Sequence, residues 1–304
     1  MKRLKTLACI VGTSCLLLGL LVSPGVCWNL PTFPTPPIGV GPPVPLAPPG
    51  FPSCPPQRCG SACSIEGGGR AFYTTNTAKI FDDLAPDIDF IEDLHFSQNT
   101  LVGEVYAALR VPPWLALTYT FLLPREDHGY GFLPADFVLG DVFFPAGTQV
   151  AAKSITSLHR WEAEYFFGLR CDCRAGPLLM AELLVDTLQM DARNDNGFLV
   201  GAKETFSEFL LGIGGTAEFA PSQNVFFRGK AAYTFLQDQG GFFLDLGARY
   251  FCDVKAGCGP PSMFSDIRPY LGVGYRYRTS TWYHGDRKFL GTIHGPYASV
   301  GVVF

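Results

Sequence analysis

Over most of its length the chain alternates apolar and polar residues, and a period of two is the strongest constraint on its fold. In the stretch HRWEAEYFFGLR (159–170), Trp161, Ala163, Tyr165, Phe167 and Leu169 point one way. Arg160, Glu162, Glu164 and Arg170 point the other. Further on, Val225, Phe227, Ala231, Tyr233 and Phe235 oppose Arg228, Lys230 and Thr234. Phe242, Leu244, Leu246, Ala248 and Tyr250 oppose Asp245 and Arg249, and Leu271, Val273, Tyr275 and Tyr277 oppose Arg268, Arg276 and Arg278. A helix needs apolar residues at i, i+3 and i+4, which these stretches do not supply.

The pattern predicts ten strands, near 69–79, 99–110, 114–124, 157–170, 178–190, 206–219, 224–236, 241–252, 266–281 and 294–304. Most exceed the usual 5–6 residues of a soluble strand. About ten residues at a tilt is what crosses a bilayer as β-structure. Tight turns at Val111-Pro112-Pro113 and 220–223 alternate with long loops near 80–98 and 125–156. The expected fold is all-β: an antiparallel up-and-down transmembrane β-barrel of about ten strands (8–12). A soluble β-sandwich is the alternative, but its outer faces should be densely charged, and these are not.

Composition narrows the choice. Of 304 residues, 47% are hydrophobic and only 16% charged, against roughly 25% charged in an average soluble chain. After the N-terminus no run of about 18 apolar residues occurs, which excludes a helical membrane bundle. A net charge of −4 offers no footprint for nucleic acid.

The N-terminus reads as an address. Lys2, Arg3 and Lys5 precede an apolar run from Leu7 to Val22, and Ser23-Pro24-Gly25 supplies small residues for cleavage. Residues 1–25 are expected to be a signal peptide. An uncleaved anchor, or lipidation at Cys27 after the poor lipobox Pro24-Gly25-Val26, are the other readings. Residues 26–66 carry 12 prolines between Pro31 and Pro56. Proline fixes φ and removes a donor, so this segment is expected to be an extended tether, either a plain linker or a docking segment for a periplasmic partner. The barrel is then 67–304. Export favours disulfides, and Cys252 with Cys258 is the preferred pair. No strong metal motif is present. Cys54, Cys59 and Cys63 make a weak candidate, and no cofactor is called for.

The chain ends Tyr297-Ala298-Ser299-Val300-Gly301-Val302-Val303-Phe304. Here it resembles the bacterial outer-membrane β-barrel superfamily, whose last strand ends in Phe with apolar residues at alternate positions before it. Phe304, Val302 and Val300 match, and Tyr297 stands where an aromatic is common. Ser299 departs from the Gly often found there. The resemblance covers roughly 67–304 and is to the small OmpA, opacity and porin-like barrels. It implies an outer-membrane location with the tether in the periplasm. It also implies outer-membrane lipid and lipopolysaccharide as surroundings, and recognition of the last strand by the barrel-assembly machinery.

With apolar faces toward lipid, the opposite faces line a lumen. They present Glu104, Arg160, Glu162, Glu164, Glu182, Asp186, Glu208, Glu218, Arg228, Lys230, Asp245, Arg249, Arg268, Arg276 and Arg278, and also Arg110. Acids gather on the fourth to sixth strands and bases on the seventh to ninth. An ion-pair network plugging the barrel is the first reading, giving a structural or interaction protein; a narrow charged pore for ions or small solutes is the second. A hydrolase or acyltransferase at the rim is the third, with His128 beside Glu126-Asp127 or His284 near Asp286 as base. No nucleophile elbow or H-E-x-x-H supports it, so the sequence predicts no enzyme.

Overall fold

We describe a computed structural model of residues 64–304, apart from 83–84, 112–113, 171–172, 194–198, 223, 237–238, 253–266 and 285–286. The expected signal peptide, the tether and Cys27, Cys54, Cys59, Cys63 and Cys258 lie outside the described residues, and so does the Cys252–Cys258 pairing. Ten long strands build the wall: β1 Ser64–Asp82, β2 Asn99–Val111, β3 Leu115–Phe132, β4 Gln149–Tyr165 and β5 Cys173–Arg193. They continue as β6 Leu199–Phe219, β7 Val225–Leu236, β8 Gln239–Phe251, β9 Arg268–His284 and β10 Arg287–Val303. Each pairs antiparallel with its sequence neighbour, and β10 pairs back onto β1 through Phe72↔Tyr297 and Asp82↔Arg287. The sheet is a closed up-and-down barrel of ten strands, as the alternation predicts.

The stagger can be read from the ladders. One rung runs Glu66–Ala108–Thr118–Glu162–Met180–Gly212 and on through Thr234, Gly241, Ser280 and Gly291. It returns to β1 at Ala78, twelve residues beyond its start at Glu66. With strands ~4.8 Å apart and a rise of ~3.3 Å per residue, that shift tilts the strands by about 40° and sets a backbone radius of about 10 Å. Both ends of the described chain meet at one mouth, where Ile65 and Phe304 exchange backbone hydrogen bonds of 3.2 and 2.8 Å. We call this the terminal end and the opposite mouth the loop end.

The two faces of the wall differ in kind. Large apolar side chains such as Leu101, Ile213 and Val273 are 72%, 56% and 64% exposed, all on the outside. Buried inside are Glu66, Glu104, Arg160, Glu162, Glu164, Glu182, Glu218, Lys230, Asp245, Arg276 and Arg278. The apolar band runs from Leu109 to Leu101 on β2 and from Leu115 to Leu123 on β3. At this tilt that span is about 20–25 Å, the height of a lipid-facing band. Tyr165, Phe219, Phe227 and Tyr250 ring its lower edge, and Tyr73, Tyr233 and Phe242 stand near the upper one.

The two long loops read from the sequence need correction. Most of the long loop expected over 125–156 is strand: β3 runs on to Phe132 and β4 begins at Gln149, leaving a small hairpin of Phe137–Leu139 with Val142–Phe144. The register shifts between Leu122 and Arg125, a bulge at Leu123-Pro124. The shift swaps which parity faces inward, and beyond the band neither face need be apolar, so the alternation fades. The strand expected over 157–170 is interrupted only at Phe166, and Phe167–Arg170 continues the pairing with the start of β5. The predicted loop 80–98 is also ordered. Ala85–Asp89 returns along the upper part of β1, and the turn after it lies over the inner face of β3. A Cβ at Gly131 would collide with the backbone of Asp93, so only glycine admits that approach.

Candidate functional site

The inward faces of adjacent tilted strands bring side chains into layers, and in this barrel the lower layers are ionic. Arg249 meets Glu66 at 2.6 Å, and Arg110 reaches the same carboxylate at 3.6 Å. Arg110 at 3.3 Å, Arg174 at 2.5 Å and Arg228 at 3.3 Å converge on Glu218. Arg228 also pairs with Glu164, which Lys230 approaches at 3.1 Å, and Lys230 pairs on with Glu162. Arg160 lies 3.7 Å from Glu162 and 2.8 Å from Glu182, which Arg278 holds at 3.0 Å. These links form one chain of ion pairs from the terminal mouth to mid-barrel. A shorter group joins Arg70 to Glu104 at 2.6 Å, Glu104 to Arg276, and Arg276 to Asp245 at 2.5 Å. The Tyr297 hydroxyl donates to Asp245 at 2.7 Å and that of Tyr270 to Glu66 at 2.8 Å.

Half of these pairs join strands that are not neighbours in the wall. β7 reaches β4, β9 reaches β5 and β2, and β2 reaches β6. The acidic and basic walls read from the sequence therefore meet in the middle. Aromatic rings complete the packing: Arg160 lies 4.2 Å over Phe243, Arg276 4.7 Å over Phe72 and Arg70 4.3 Å over Tyr106. Gly274 makes room for the Tyr297 ring, which a Cβ there would strike. With every group ionised, the long chain holds seven cations (Arg110, Arg160, Arg174, Arg228, Lys230, Arg249, Arg278) against five anions (Glu66, Glu162, Glu164, Glu182, Glu218). The shorter group balances two against two.

Above the ion pairs the lumen opens into a cavity of about 150 Å³. Its floor includes Arg160, Arg276 and Arg278, its walls Leu122, Leu158, Leu184, Phe206 and Ile293, and its upper part Phe90, Ile91 and Phe96 from the segment after Ala85–Asp89. Over it sits an apolar cluster in which Leu94, Phe137, Leu139, Phe144 and Val150 are buried. Asp186 is on the cavity wall, accepting hydrogen bonds from Ser154 at 2.9 Å and Thr156 at 3.2 Å. Asp127, also lining the cavity, pairs with Arg125.

Of the residues predicted to line the lumen, Glu104, Arg160, Glu162, Glu164, Glu182, Glu218, Arg228, Lys230, Asp245, Arg249, Arg276 and Arg278 come together in the two groups. Asp186 stands apart in the cavity. Glu208 shares the inward face of β6 with Leu210, partly exposed. Arg268 is an exposed residue at the terminal rim, its guanidinium 4.9 Å over Phe251. Val300, Val302 and Phe304 share the outer face of the last strand, whereas Tyr297 points inward. The network also uses Glu66, Arg70 and Arg174. Sequence reasoning missed them because Glu66 and Arg70 flank a Gly-Gly-Gly run at the expected tether boundary, and Arg174 lies in an expected turn.

At the loop end, Glu126 accepts from Lys153 at 2.6 Å and pairs with His128 at 2.8 Å. The hydrogen bonds from Lys153 and His128 hold its carboxyl below the usual range. This trio is exposed on the outside of the wall, while Ser154 and Asp127 face the interior. The side chain of His284, and with it the second rim candidate, lies outside the described residues. Two other histidines sit on the outer face near the upper edge of the band, each bonded to a tyrosine of the next strand: His159 to Tyr119 at 2.8 Å and His294 to Tyr275 at 2.9 Å.

Charge inside, hydrocarbon outside and a closed wall reverse the order of a soluble protein, whose charged residues are almost never buried in such numbers. This is a transmembrane β-barrel. No protein-family model and no curated protein matches the sequence. Among solved structures, the chain is similar to the attachment invasion locus protein Ail of Yersinia pestis, at 9% identity and TM-score 0.30, over 77% of this chain and 97% of that one. It is also similar to the outer membrane protease OmpT of Escherichia coli, at 9% identity and TM-score 0.42, over 79% and 97%. Neisserial surface protein A aligns at 12% identity and TM-score 0.24, over 79% and 95%.

Proposed function

We propose that this protein is a non-conducting barrel of the bacterial outer membrane with a structural or interaction role, its lumen shut by paired charges. The observation that carries the reading is the set of ion pairs joining strands on opposite sides of the lumen. Eight-stranded barrels have lumens that side chains can fill, and open channels belong to walls of 16–18 strands; ten strands lie near the closed end. Buried charges hold their places only when paired, since an unpaired one costs several kcal/mol. In this reading residues 1–25 direct export, the proline-rich segment expected over 26–66 forms a periplasmic tether for a partner or as a spacer up to the start of β1 at Ser64, and the chain from there to 304 forms the barrel. The loop end then faces outward among lipopolysaccharide. The barrel-assembly machinery takes hold of Val300, Val302 and Phe304 on the last strand.

Purified barrel in planar lipid bilayers tests this. It should leave the membrane silent. Steady unitary conductance would sink the proposal and establish the narrow-pore reading, in which Arg276→Glu and Arg278→Glu alter ion selectivity.

A further inference from the structure

We propose that the cavity in the loop-end half of the lumen is a binding site for a small amphipathic anion: an apolar body with one anionic head. This goes beyond the closed-barrel reading. A blind cavity can hold such a molecule whether or not the floor beneath it conducts.

Three observations point to that chemistry. The first is shape and surface. The cavity, of about 150 Å³, is walled by Leu158, Leu184, Phe206 and Phe289 among other apolar residues, and concave, mostly apolar pockets with a few placed polar groups are ligand sites. The second is a donor without an acceptor. Arg160 is 1% exposed and lines the floor, and its Nη1 has no hydrogen-bond partner, with the Glu162 carboxylate 3.7 Å away. The Arg125 Nε on the cavity wall lacks a partner too. A guanidinium is a fork of five N–H donors matched to a carboxylate, and a buried donor left unsatisfied is costly. The third is charge. Five cations line the cavity, Lys79, Arg125, Arg160, Arg276 and Arg278, against the two acids Asp127 and Asp186; the carboxylates that pair with Lys79, Arg160, Arg276 and Arg278 (Asp89, Glu182, Glu104 and Asp245) lie outside the lining. Both acids are engaged, Asp127 by Arg125 and Asp186 by the Ser154 and Thr156 hydroxyls. An anionic head placed against these guanidiniums meets the cationic lining of the cavity, and its apolar body covers the leucines and phenylalanines.

Octanoate is a suitable probe, with octanamide as its uncharged counterpart. Titration calorimetry is run on the full mature chain in nanodiscs of zwitterionic lipid, with empty nanodiscs as blank. We expect saturable binding of octanoate beyond the blank and at least tenfold weaker binding of octanamide. Leu184→Trp, which fills the cavity, should abolish octanoate binding. Arg125→Gln, which leaves both ion-pair groups intact, should weaken octanoate and spare octanamide. Heat-modifiable mobility on gels verifies that each variant is folded; if Leu184→Trp fails that check, Arg125→Gln alone decides. The proposal is overturned by an absence of saturable heat above the blank, by equal affinity for the two probes, or by octanoate binding that a folded Leu184→Trp or Arg125→Gln leaves unchanged.

Discussion

Glu182→Gln isolates what one carboxylate does inside this wall. Glu182 is 1% exposed and accepts from Arg160 Nε at 2.8 Å and from Arg278 Nη2 at 3.0 Å. Glutamine fills the same volume and still offers one acceptor oxygen, so no void term enters. What is lost is the charge between two guanidiniums. Arg160 is left with Glu162 at 3.7 Å, and Arg278 has no other carboxylate within ion-pair distance among the described residues. Removing one partner of a buried pair costs roughly 3–5 kcal/mol, because the remaining charge stays buried and uncompensated. The assay is urea unfolding of barrel folded into short-chain phosphocholine vesicles, followed by tryptophan fluorescence and gel mobility. Glu126→Gln is the control. It breaks an ion pair of the same kind on the exposed outer face, where such pairs contribute little, and should leave the midpoint in place. Adding Arg278→Gln to Glu182→Gln should recover part of the loss, since the double variant no longer strands that cation. A cost below about 1 kcal/mol for Glu182→Gln, or no recovery in the double variant, would refute the claim that the ion pairs hold the lumen shut.

Other perturbations test separate parts of the structure. Leu246→Arg puts a charge in the lipid-facing band and should cost about 2–4 kcal/mol in the same unfolding assay; an unmoved midpoint would mean that Leu246 does not face lipid. Gly274→Val drives a side chain into Tyr297 and should lower stability by about 1–3 kcal/mol or prevent the heat-modifiable form; a normal gel shift and an unmoved midpoint would contradict the packing. Asp89 anchors the segment over the cavity. Burial pushes its carboxyl up, but hydrogen bonds from Lys79 and from the Glu92 and Ile91 amides outweigh this and hold it below its ordinary value. A depressed folded value means the contribution is complete above the unfolded value near pH 4 and is lost as pH falls through the folded one. Amide exchange over 85–96, corrected for intrinsic rate, should therefore be protected at pH 6 and faster at pH 3, with Asp89→Asn fast at both; no difference between the two pH values would count against the anchor.

How much of this was legible in the sequence depends on what each residue answers to. Where a strand crosses lipid, one face must be apolar, so Trp161, Ala163 and Tyr165 against Arg160, Glu162 and Glu164 announced both the strand and its sides. Once β3 and β4 rise beyond the band that demand ends. Glu126, His128, Gln149 and Lys153 gave no alternation, and strand was read as loop. The bulge at Leu123-Pro124 exchanged the faces as well. Composition marked the ionic residues, yet their partners are set by which strands face each other across the lumen. That depends on the stagger, and a periodicity of two is blind to it. The cavity was invisible for a further reason: its roof is built by residues 88–96 and 133–150, whose apolar side chains belong to no repeat.

Closure of the wall has a consequence for the order of assembly. Glu66, on the first strand, completes its shell with Arg249 and Tyr270, residues 183 and 204 positions further along the chain. Contacts of such separation are slow to find, because the intervening chain must be gathered first. Until β8 and β9 arrive, a half-built sheet would present its carboxylates and guanidiniums to hydrocarbon, the most expensive surroundings they could meet. The strands therefore cannot enter the bilayer one by one as finished pieces. Either the curved sheet forms nearly whole at the membrane surface and closes as it sinks, or a shielding partner holds the open edges of β1 and β10 apart until the last strand is in place.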